Sequence, residues 1–248
     1  LATALREFGL EPEKIGDLAR SPDAVLGYLE AHIEQGPVLE AAGEALGVVT
    51  AICGIERHDI LLTGETGHAG TVPMELRRDA LVGAAELVLA VNELANTTTD
   101  LRGTIGAFNV SPNVVNAVPG EVRLKVELRS PFDVVRQAAG RSVAETAPQL
   151  AARYHLDLSH TQSYAQPARP CSENLSTVLR TAVINSGGSG IELPSGATHD
   201  ASAMADLCPT AMLFLRCRDG VSHVPTEHAT IEDMDVAVTA IAGFLTSL

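Results

Sequence analysis

Three histidines lie in local sequences that could place an imidazole beside a bound ligand. The first, His32, lies in Y-L-E-A-H-I-E-Q (28–35), whose alternation suits a strand, and it precedes Glu34, Gln35 and a Gly36-Pro37 break, so we expect it near the end of that strand. The ends of strands are where α/β sheets commonly hold their sites. The position suits a metal ligand, and it also suits a histidine with a structural role.

The second and third histidines lie in glycine-containing stretches. His199 lies in S-G-A-T-H-D-A, where small residues allow the backbone to approach a ligand. Asp200 could orient its imidazole through a hydrogen bond. His68 lies in G-H-A-G and has no second histidine three or four residues away, which excludes a self-contained zinc motif. This histidine could bind substrate, or it could cap its turn.

The other candidate groups give weaker signals. His58, His155 and His160 lie in charged, loop-like surroundings, where we expect surface or hydrogen-bonded structural roles. Ser195 and Ser222 lack the G-x-S-x-G context of a nucleophile elbow, which argues against Ser-His-Asp catalysis. The four cysteines form no C-x-x-C pair, so buried thiols are expected.

The elements that must position these residues fall into two regions. The outer regions, 1–53 and 166–248, are predicted to form one α/β domain. Its predicted elements are a strand over 28–35, a helix over 37–43, a helix near 173–186, a short helix after His199, a strand over 210–215 and a helix over 231–247.

The middle region, 54–165, shows the order strand, helix, strand, strand, helix, strand, which is typical of a small ferredoxin-like α+β domain. In the stretch 121–129 apolar and charged residues alternate, which predicts a strand with one buried face. The helix over 76–95 is predicted to bury the stripe Leu76, Ala80, Leu81, Ala84, Ala85, Val88 and Leu89.

Composition excludes several classes of function. Seventeen Lys and Arg against 31 Asp and Glu give a formal net charge of −14, opposite in sign to that of a nucleic-acid binder. No apolar run approaches the roughly 20 residues of a membrane span, and the first residues do not resemble a secretory signal. Sparse cysteines favour a reducing compartment, so we expect a cytoplasmic protein without nucleic-acid or membrane partners.

Seven stretches occur in an order that resembles one family of metal-dependent hydrolases. These are A-H-I-E-Q-G-P (31–37), G-H-A-G-T-V-P-M (67–74), L-R-R-D-A (76–80), N-A-V-P-G (116–120), L-R-S-P (128–131), S-G-A-T-H-D-A (195–201) and R-D-G-V-S-H-V-P-T-E (218–227). Over nearly its whole length the chain resembles the N-carbamoyl-L-amino acid hydrolases, with allantoate amidohydrolases and β-ureidopropionases as near relatives.

The resemblance implies a fold and a pair of metal ions. It implies a metal-dependent exopeptidase-like catalytic α/β domain, made of 1–53 and 166–248, with an inserted α+β lid and dimerisation domain at 54–165. By resemblance, His32 would bind one metal ion and His199 the other. The complete enzyme would then hold two divalent ions per subunit, of a kind that imidazole nitrogen suits, such as Zn, Mn, Co or Ni.

The resemblance also implies a set of residues for substrate. Gln35 would help to position a small ureido compound. His68, Asn116 and Arg129 match lid residues that reach the site of the partner subunit in a homodimer, where they hold the carbamoyl oxygen and the substrate carboxylate. His68 would also act in catalysis, by stabilising the developing oxyanion. Gly196 would meet the carboxylate through its backbone N–H.

The sequence departs from the family pattern in three places. Thr198 stands where glycine usually precedes the metal-binding histidine, and its Cβ could shift His199. The stretch S-H-V-P-T-E replaces S-H-N-P-A-E. The His-x-Asp motif, bridging Asp and Glu-Glu pair, which supply further ligands and the general base, are not found upstream of His32. We therefore expect the N-terminal part of the catalytic domain to be absent from these 248 residues, and the chain alone to be inactive.

These patterns leave three hypotheses for function. The first is hydrolysis of the carbamoyl C–N bond of N-carbamoyl-L-amino acids to an L-amino acid, CO2 and ammonia. The second is the related activity of an allantoate amidohydrolase or a β-ureidopropionase, although L-R-R-D-A and R-D-G mildly favour a carbamoylase. The third is a non-catalytic dimeric scaffold or inactive fragment, which two retained metal ions per subunit would contradict.

Overall fold

The computed structural model describes all 248 residues. The helices are α1 (Ala2–Glu7), α2 (Val38–Ala42), α3 (Ala80–Thr97), α4 (Asp133–Arg153), α5 (Glu173–Asn185), α6 (Ala201–Met204) and α7 (Ile231–Leu245). The strands are β1 (Tyr28–Ile33), β2 (Leu46–Ile52), β3 (Gly54–Thr63), β4 (Gly67–His68), β5 (Arg102–Ser111), β6 (Ala117–Val118), β7 (Glu121–Ser130), β8 (Asp157–Gln166), β9 (Arg169–Pro170), β10 (Glu192–Ser195) and β11 (Thr210–Leu215).

The chain divides into two compact units. Unit 1 consists of Leu1–Thr50, Cys171–Leu193 and His199–Leu248. Unit 2 consists of Ala51–Pro170 and Pro194–Thr198. The assignment of a lid and dimerisation role to the middle of the chain stays a prediction.

The sheet of unit 1 is built around β11. Its strand order is β1-β11-β2-β10, with β1 parallel and β2 antiparallel to β11. All six residues of β11 are buried, because Ala211, Leu213 and Leu215 share a core with residues of α5 and α7. In a strand, alternate side chains point to opposite faces, so Met212 and Phe214 point to the other side of the sheet.

The first helix of unit 1 after β1 confirms the prediction for 37–43. It spans Val38–Ala42, with Pro37 at the N-cap and Gly43 at the C-cap. Gly43 has φ +71, the left-handed conformation in which glycine commonly ends helices. The preceding strand ends at Ile33, two residues earlier than the sequence predicts.

Unit 2 is an antiparallel sheet covered by two helices. Its strand order is β5-β7-β3-β8, and α3 and α4 both contribute to the core beneath it. The alternation in β7 is confirmed, because Val122, Leu124, Val126 and Leu128 are all buried in this core. Strands β3 and β7 pair along their whole length, from Gly54 opposite Ser130 to Thr63 opposite Glu121.

The predicted face of the helix in 76–95 is only partly right, because Ala80 and Ala84 of the predicted stripe are buried. The helix begins at Ala80, because the Asp79 side chain caps it by accepting the N–H groups of Leu81 and Val82. The buried residues are Ala80, Gly83, Ala84, Leu87 and Val91, whereas Leu76 and Leu89 are 70% and 66% exposed. By length and composition alone α3 could cross a membrane, which is weak evidence because core helices pass the same test.

The prediction of buried thiols is confirmed for three of the four cysteines. No disulfide is present; Cys53, Cys208 and Cys217 are buried and Cys171 is partly buried. Burial raises the pKa of the Cys171 thiol to about 11. A thiol with so high a pKa carries little of the reactive thiolate at neutral pH, so Cys171 is expected to be chemically inert.

The loop-like surroundings predicted for His58 are wrong. His58 lies within β3 and is 3% exposed. Its Nδ1 is 2.8 Å from Nε2 of His160 on β8, and its Nε2 is 3.1 Å from Oε1 of Glu56. The sequence misleads here because charged neighbours alternate with apolar ones, and the polar residues Glu56 and His58 fall on the buried face.

The buried imidazole of His58 makes the stability of the chain depend on pH. Burial, and secondly the His160 imidazole, lower the pKa of His58 from 6.5 to about 4. The unfolded state therefore binds a proton below pH 6.5 that the native state does not bind. The contribution of His58 to the free energy of unfolding is fully present above about pH 6.5. It is lost as the pH decreases towards 4, and the loss is about 2–3 kcal/mol.

Urea denaturation between pH 7.5 and 4 tests this expectation. Over this range the free energy of unfolding of the His58→Gln variant should fall by about 2 kcal/mol less than that of the wild type. The variant lacks the His58 imidazole, and the other titrating groups are common to both proteins. His228→Gln, at an exposed position, is the control and should follow the wild type. Equal losses in wild type and His58→Gln would show that His58 is protonated in the native state.

Candidate active-site residues

The two predicted metal ligands lie side by side in unit 1. His32 is carried by β1, and His199 immediately precedes the N-cap of α6. Their ring centroids are 4.7 Å apart, with an interplanar angle of 70°. His199 is 7% exposed and packs against Phe214 of β11, with ring centroids 5.7 Å apart.

Nδ1 of each imidazole lies beside an oxygen atom. Nδ1 of His32 is 2.8 Å from the carbonyl oxygen of Ile33, so Nδ1 carries the proton and Nε2 keeps a free lone pair. Nδ1 of His199 is 3.5 Å from Oε1 of Glu30, whose Oε2 accepts the N–H of Ala201 at 2.7 Å. Glu30 therefore links His199 and the start of α6 to β1.

Glu30 is a site residue that sequence reasoning missed. Asp200, to which we assigned the orienting role, is exposed at the N-cap of α6. The available signal was the spacing of Glu30 and His32, which lie two residues apart and so share one face of β1. A carboxylate on the same strand face as a metal-binding histidine is a candidate to orient its imidazole.

The electrostatics favour a neutral His199. Burial lowers its pKa and the neighbouring His32 lowers it further, whereas Glu30 and Asp200 act in the opposite direction. A neutral imidazole offers the lone pair that a metal ion requires.

By donor type the pair fits a first-row divalent metal ion, but by number it falls short of a complete site. Catalytic zinc sites use three protein ligands. No group of three or more His, Cys, Asp or Glu in these 248 residues could hold a metal ion. His32 and His199 could therefore supply part of a ligand set, to which other residues would have to contribute.

The residues after β1 have separate roles. Glu34 is 9% exposed, and its two carboxylate oxygens accept the N–H groups of Val38 and Leu39, each at 2.8 Å. This carboxylate caps α2 and is committed to the fold. Gln35, predicted to position substrate, has φ +56. A left-handed backbone at a residue other than glycine costs roughly 1 kcal/mol or more and is often found at functional sites.

The shift of His199 that Thr198 could cause stays a prediction. Thr198 is not among the residues with positive φ, so its backbone is in a region that any residue with a Cβ can adopt. Threonine at this position therefore imposes no left-handed strain before His199.

In unit 2 a short ribbon brings His68 and Asn116 together. Strand β4 pairs with β6, with His68 opposite Ala117, and the N–H of Ala69 donates to the carbonyl of Asn116 at 2.9 Å. The N–H of Gly70 donates to Nδ1 of His68 at 3.1 Å. The proton of a neutral His68 must then lie on Nε2, and the exposed ring presents an N–H donor to solvent.

A second residue missed by sequence reasoning, Arg77, holds the loop that follows His68. Its Nη2 donates to the carbonyl of Ala69 at 2.6 Å, and its Nε donates to the carbonyl of Val72 at 3.1 Å. One side chain thus ties down both ends of the turn at 69–72. This arrangement limits the positions that the His68 ring can take.

Arg129 and Gly196, both predicted to meet the substrate carboxylate, lie together in unit 2. Nη1 of Arg129 donates to the Gly196 carbonyl at 2.6 Å. Its Nε and Nη2 bind Oε1 of Glu127 at 2.7 and 2.6 Å, and Nε of Arg57 donates to Oε2 of Glu127 at 2.6 Å. Burial raises the pKa of the Glu127 carboxyl, but hydrogen bonds from Arg57 and Arg129 outweigh it and hold the pKa below its usual value.

Comparison with known proteins assigns this chain to a family. The sequence pattern of peptidase family M20/M25/M40 matches residues 4–247. The chain therefore belongs to this family.

Within the family, similar proteins are amidohydrolases. An N-carbamoyl-L-amino acid amidohydrolase of Geobacillus stearothermophilus is 36% identical over 97% of this chain and 59% of its own length. An allantoate deiminase of Arabidopsis thaliana is 36% identical over 98% of this chain and 52% of its own. The crystal structure of a hydantoinase/carbamoylase family amidase of Burkholderia multivorans superposes with a TM-score of 0.87 at 33% identity, over 90% of this chain and 55% of that one.

These relatives support the mixed α/β fold over nearly the whole chain. The chain spans between 52% and 59% of the length of the three proteins it matches here. Their names cover both carbamoyl amino acids and allantoate, and therefore leave the substrate open.

Proposed function

We propose that the protein hydrolyses the carbamoyl C–N bond of N-carbamoyl-L-amino acids. One water is consumed, and the products are the L-amino acid, CO2 and ammonia. The observation that carries this proposal is the Arg129 guanidinium beside the main chain of Gly196. A planar guanidinium binds a carboxylate through two parallel hydrogen bonds. All carbamoyl amino acids carry a carboxylate in their amino-acid head group.

The His68 ribbon supports the position of the reacting group. With Nδ1 occupied by the Gly70 N–H, the Nε2–H of His68 is free to donate to the carbamoyl oxygen. Its bond would strengthen as negative charge develops on that oxygen. Asn116, on the neighbouring strand end, would supply a second polar contact to the same group.

Two divalent metal ions per subunit, of the Zn, Mn, Co or Ni type, belong to the proposal. When bound, they would polarise the carbamoyl group and activate the attacking water. In these 248 residues His32 and His199 would each hold one ion, oriented by the Ile33 carbonyl and by Glu30. Gln35 would lie next to His32 and help to position the ureido group.

The proposal extends to assembly and location. Unit 2 would act as lid and dimerisation domain of a homodimer. His68 and Asn116 would serve the site of the partner subunit, whereas Arg129 would bind the substrate carboxylate beside Gly196 of its own chain. The protein would act in the cytoplasm on a small ureido substrate.

Ammonia release tests the reaction and its substrate. The protein, expressed from its full reading frame and supplied with Mn²⁺, is incubated with N-carbamoyl-L-methionine, allantoate or N-carbamoyl-β-alanine. Release from the first is expected. Release from allantoate or N-carbamoyl-β-alanine alone would instead assign the corresponding related activity. No release from any of them, together with no retained metal, would favour a scaffold.

An Arg129→Lys variant tests the carboxylate contact. Lysine keeps the charge but loses the two-pronged geometry, so kcat/KM should fall by roughly 10- to 100-fold, mainly through KM. Arg123→Lys is the matched control, because Arg123 lies on the same strand, is 62% exposed and pairs with Glu121. An equal loss in both variants would remove the special role of Arg129.

A further inference from the structure

A second arginine lies directly opposite Arg129 in unit 2. In the antiparallel pairing of β5 and β7, Arg102 is the partner of Arg129. Side chains of directly opposed residues point to the same face of a sheet, and like charges in this position are destabilising. A structural counterion or a bound anion would therefore stabilise the pair.

Within the fold, only Arg129 has such a counterion. Glu127 binds Arg129 and is shared with Arg57. Arg102 is exposed and makes no ion pair with any carboxylate. This strip of the sheet thus carries three guanidinium groups and one carboxylate, an excess of positive charge in a chain of net charge −14.

The space beside Arg102 is open towards Gly196. A Cβ built on Gly196 would meet only Cζ and Nε of Arg102, each at 4.0 Å. Glycine at this position therefore leaves room between the main chain and the Arg102 guanidinium. Arg102 and Arg129 also act electrostatically on one buried group, Cys53, whose pKa burial raises, both arginines lower and Asp100 raises.

We propose that Arg102 is a second substrate-binding arginine, which selects ureido acids that carry two carboxylates. Arg129 would bind the carboxylate of the amino-acid head group, and Arg102 would bind the carboxylate of an acidic side chain across the open space at Gly196. The inference rests on the proposed function for the role of Arg129. It adds a preference for N-carbamoyl derivatives of aspartate or glutamate over those of apolar amino acids.

The test compares Arg102→Met and Arg102→Lys with Arg123→Met, an exposed arginine of the same sheet that pairs with Glu121. For the protein expressed from its full reading frame, kcat/KM is measured for N-carbamoyl-L-glutamate and N-carbamoyl-L-norvaline. Arg102→Met should lower the ratio of kcat/KM for N-carbamoyl-L-glutamate to kcat/KM for N-carbamoyl-L-norvaline about tenfold, through a higher KM for the glutamate derivative. Arg102→Lys should restore part of it, and Arg123→Met should leave it unchanged.

Calorimetry makes the test independent of catalysis. Glutarate, butyrate and inorganic phosphate are titrated into the same variants. Glutarate should bind about tenfold more weakly to Arg102→Met than to the wild type, with no change for butyrate. If no ureido compound is hydrolysed but glutarate binding still depends on Arg102, the proposed function is wrong and the dicarboxylate site is supported.

Three results would overturn the inference. The first is an unchanged substrate ratio together with unchanged glutarate binding in Arg102→Met. The second is an equal loss in Arg123→Met, which would indicate a general effect of surface charge. The third is Arg102-dependent binding of phosphate without binding of glutarate, which would assign a phosphate site instead. Thermal denaturation of each variant checks that the fold is kept.

Discussion

Arg136→Met is expected to lower the free energy of unfolding by about 3–5 kcal/mol. Arg136 is 4% exposed, and its Nη1 donates to Oε2 of Glu56 at 2.5 Å. Its Nη2 also binds Asp133 at 3.0 Å. Burial raises the pKa of the Glu56 carboxyl and Arg136 opposes this rise, so removal of the guanidinium leaves a buried carboxylate without its main partner. Urea denaturation of the whole chain at pH 8 measures the loss.

Two comparisons separate the buried pair from a general loss of charge. Arg153→Met removes an arginine from the same helix that is 64% exposed and paired with Glu86, and it should cost at most about 1 kcal/mol. Glu56→Leu combined with Arg136→Met should recover much of the stability, because an apolar pair leaves no buried charge. The penalty for Arg136→Met alone should be smaller at pH 5 than at pH 8, because burial raises the pKa of Glu56 and the protonated, uncharged fraction of this carboxyl is larger at the lower pH. A penalty that is equal at both pH values would contradict this explanation.

His68→Ala is expected to lower kcat by roughly 100- to 1000-fold with little change in KM, provided the protein hydrolyses carbamoyl amino acids. The physical reason is that the Nε2–H donor, fixed by the Gly70 N–H, would act mainly on charge that develops in the transition state. Steady-state ammonia release from N-carbamoyl-L-methionine measures both constants.

Met74→Ala is the matched control for His68→Ala. Met74 lies in the segment that follows His68 and is 73% exposed, so its truncation should leave kcat within about twofold. A rise in KM without a fall in kcat for His68→Ala would assign His68 to ground-state binding. Thermal midpoints within a few degrees of the wild type would show that the ribbon of β4 and β6 is intact.

The fold could be predicted where local pattern and burial agree. Val122, Leu124, Val126 and Leu128 alternate with charged residues, and a strand with one face on the core is the arrangement that satisfies them. The pattern is only partly right for α3, because apolar residues continue all round the helix and the Asp79 cap sets its start. It fails for His58 because the prediction takes a polar residue among charged neighbours to lie outside the core, whereas His58 lies on the buried face of β3.

Much less of the candidate site could be predicted from local sequence. His32 and His199 are far apart in the chain, and only the parallel pairing of β1 with β11 and the turn before α6 bring their rings to 4.7 Å. The resemblance to a known family indicated both residues, but it did not reveal Glu30 or Arg77. Glu30 could have been found from its spacing to His32 on one face of β1, whereas the contacts of Arg77 with the loop at 69–72 depend on geometry that no spacing rule describes.

The left-handed backbone at Gln35 has a consequence for the evolution of this protein. Glycine or asparagine would adopt φ +56 at lower cost, so selection for thermal stability alone would replace the glutamine. A lineage that keeps glutamine there gives up some stability for the side-chain amide. A library randomised at position 35 and selected first for folding, then for growth on ureido compounds, would enrich different residues in the two steps.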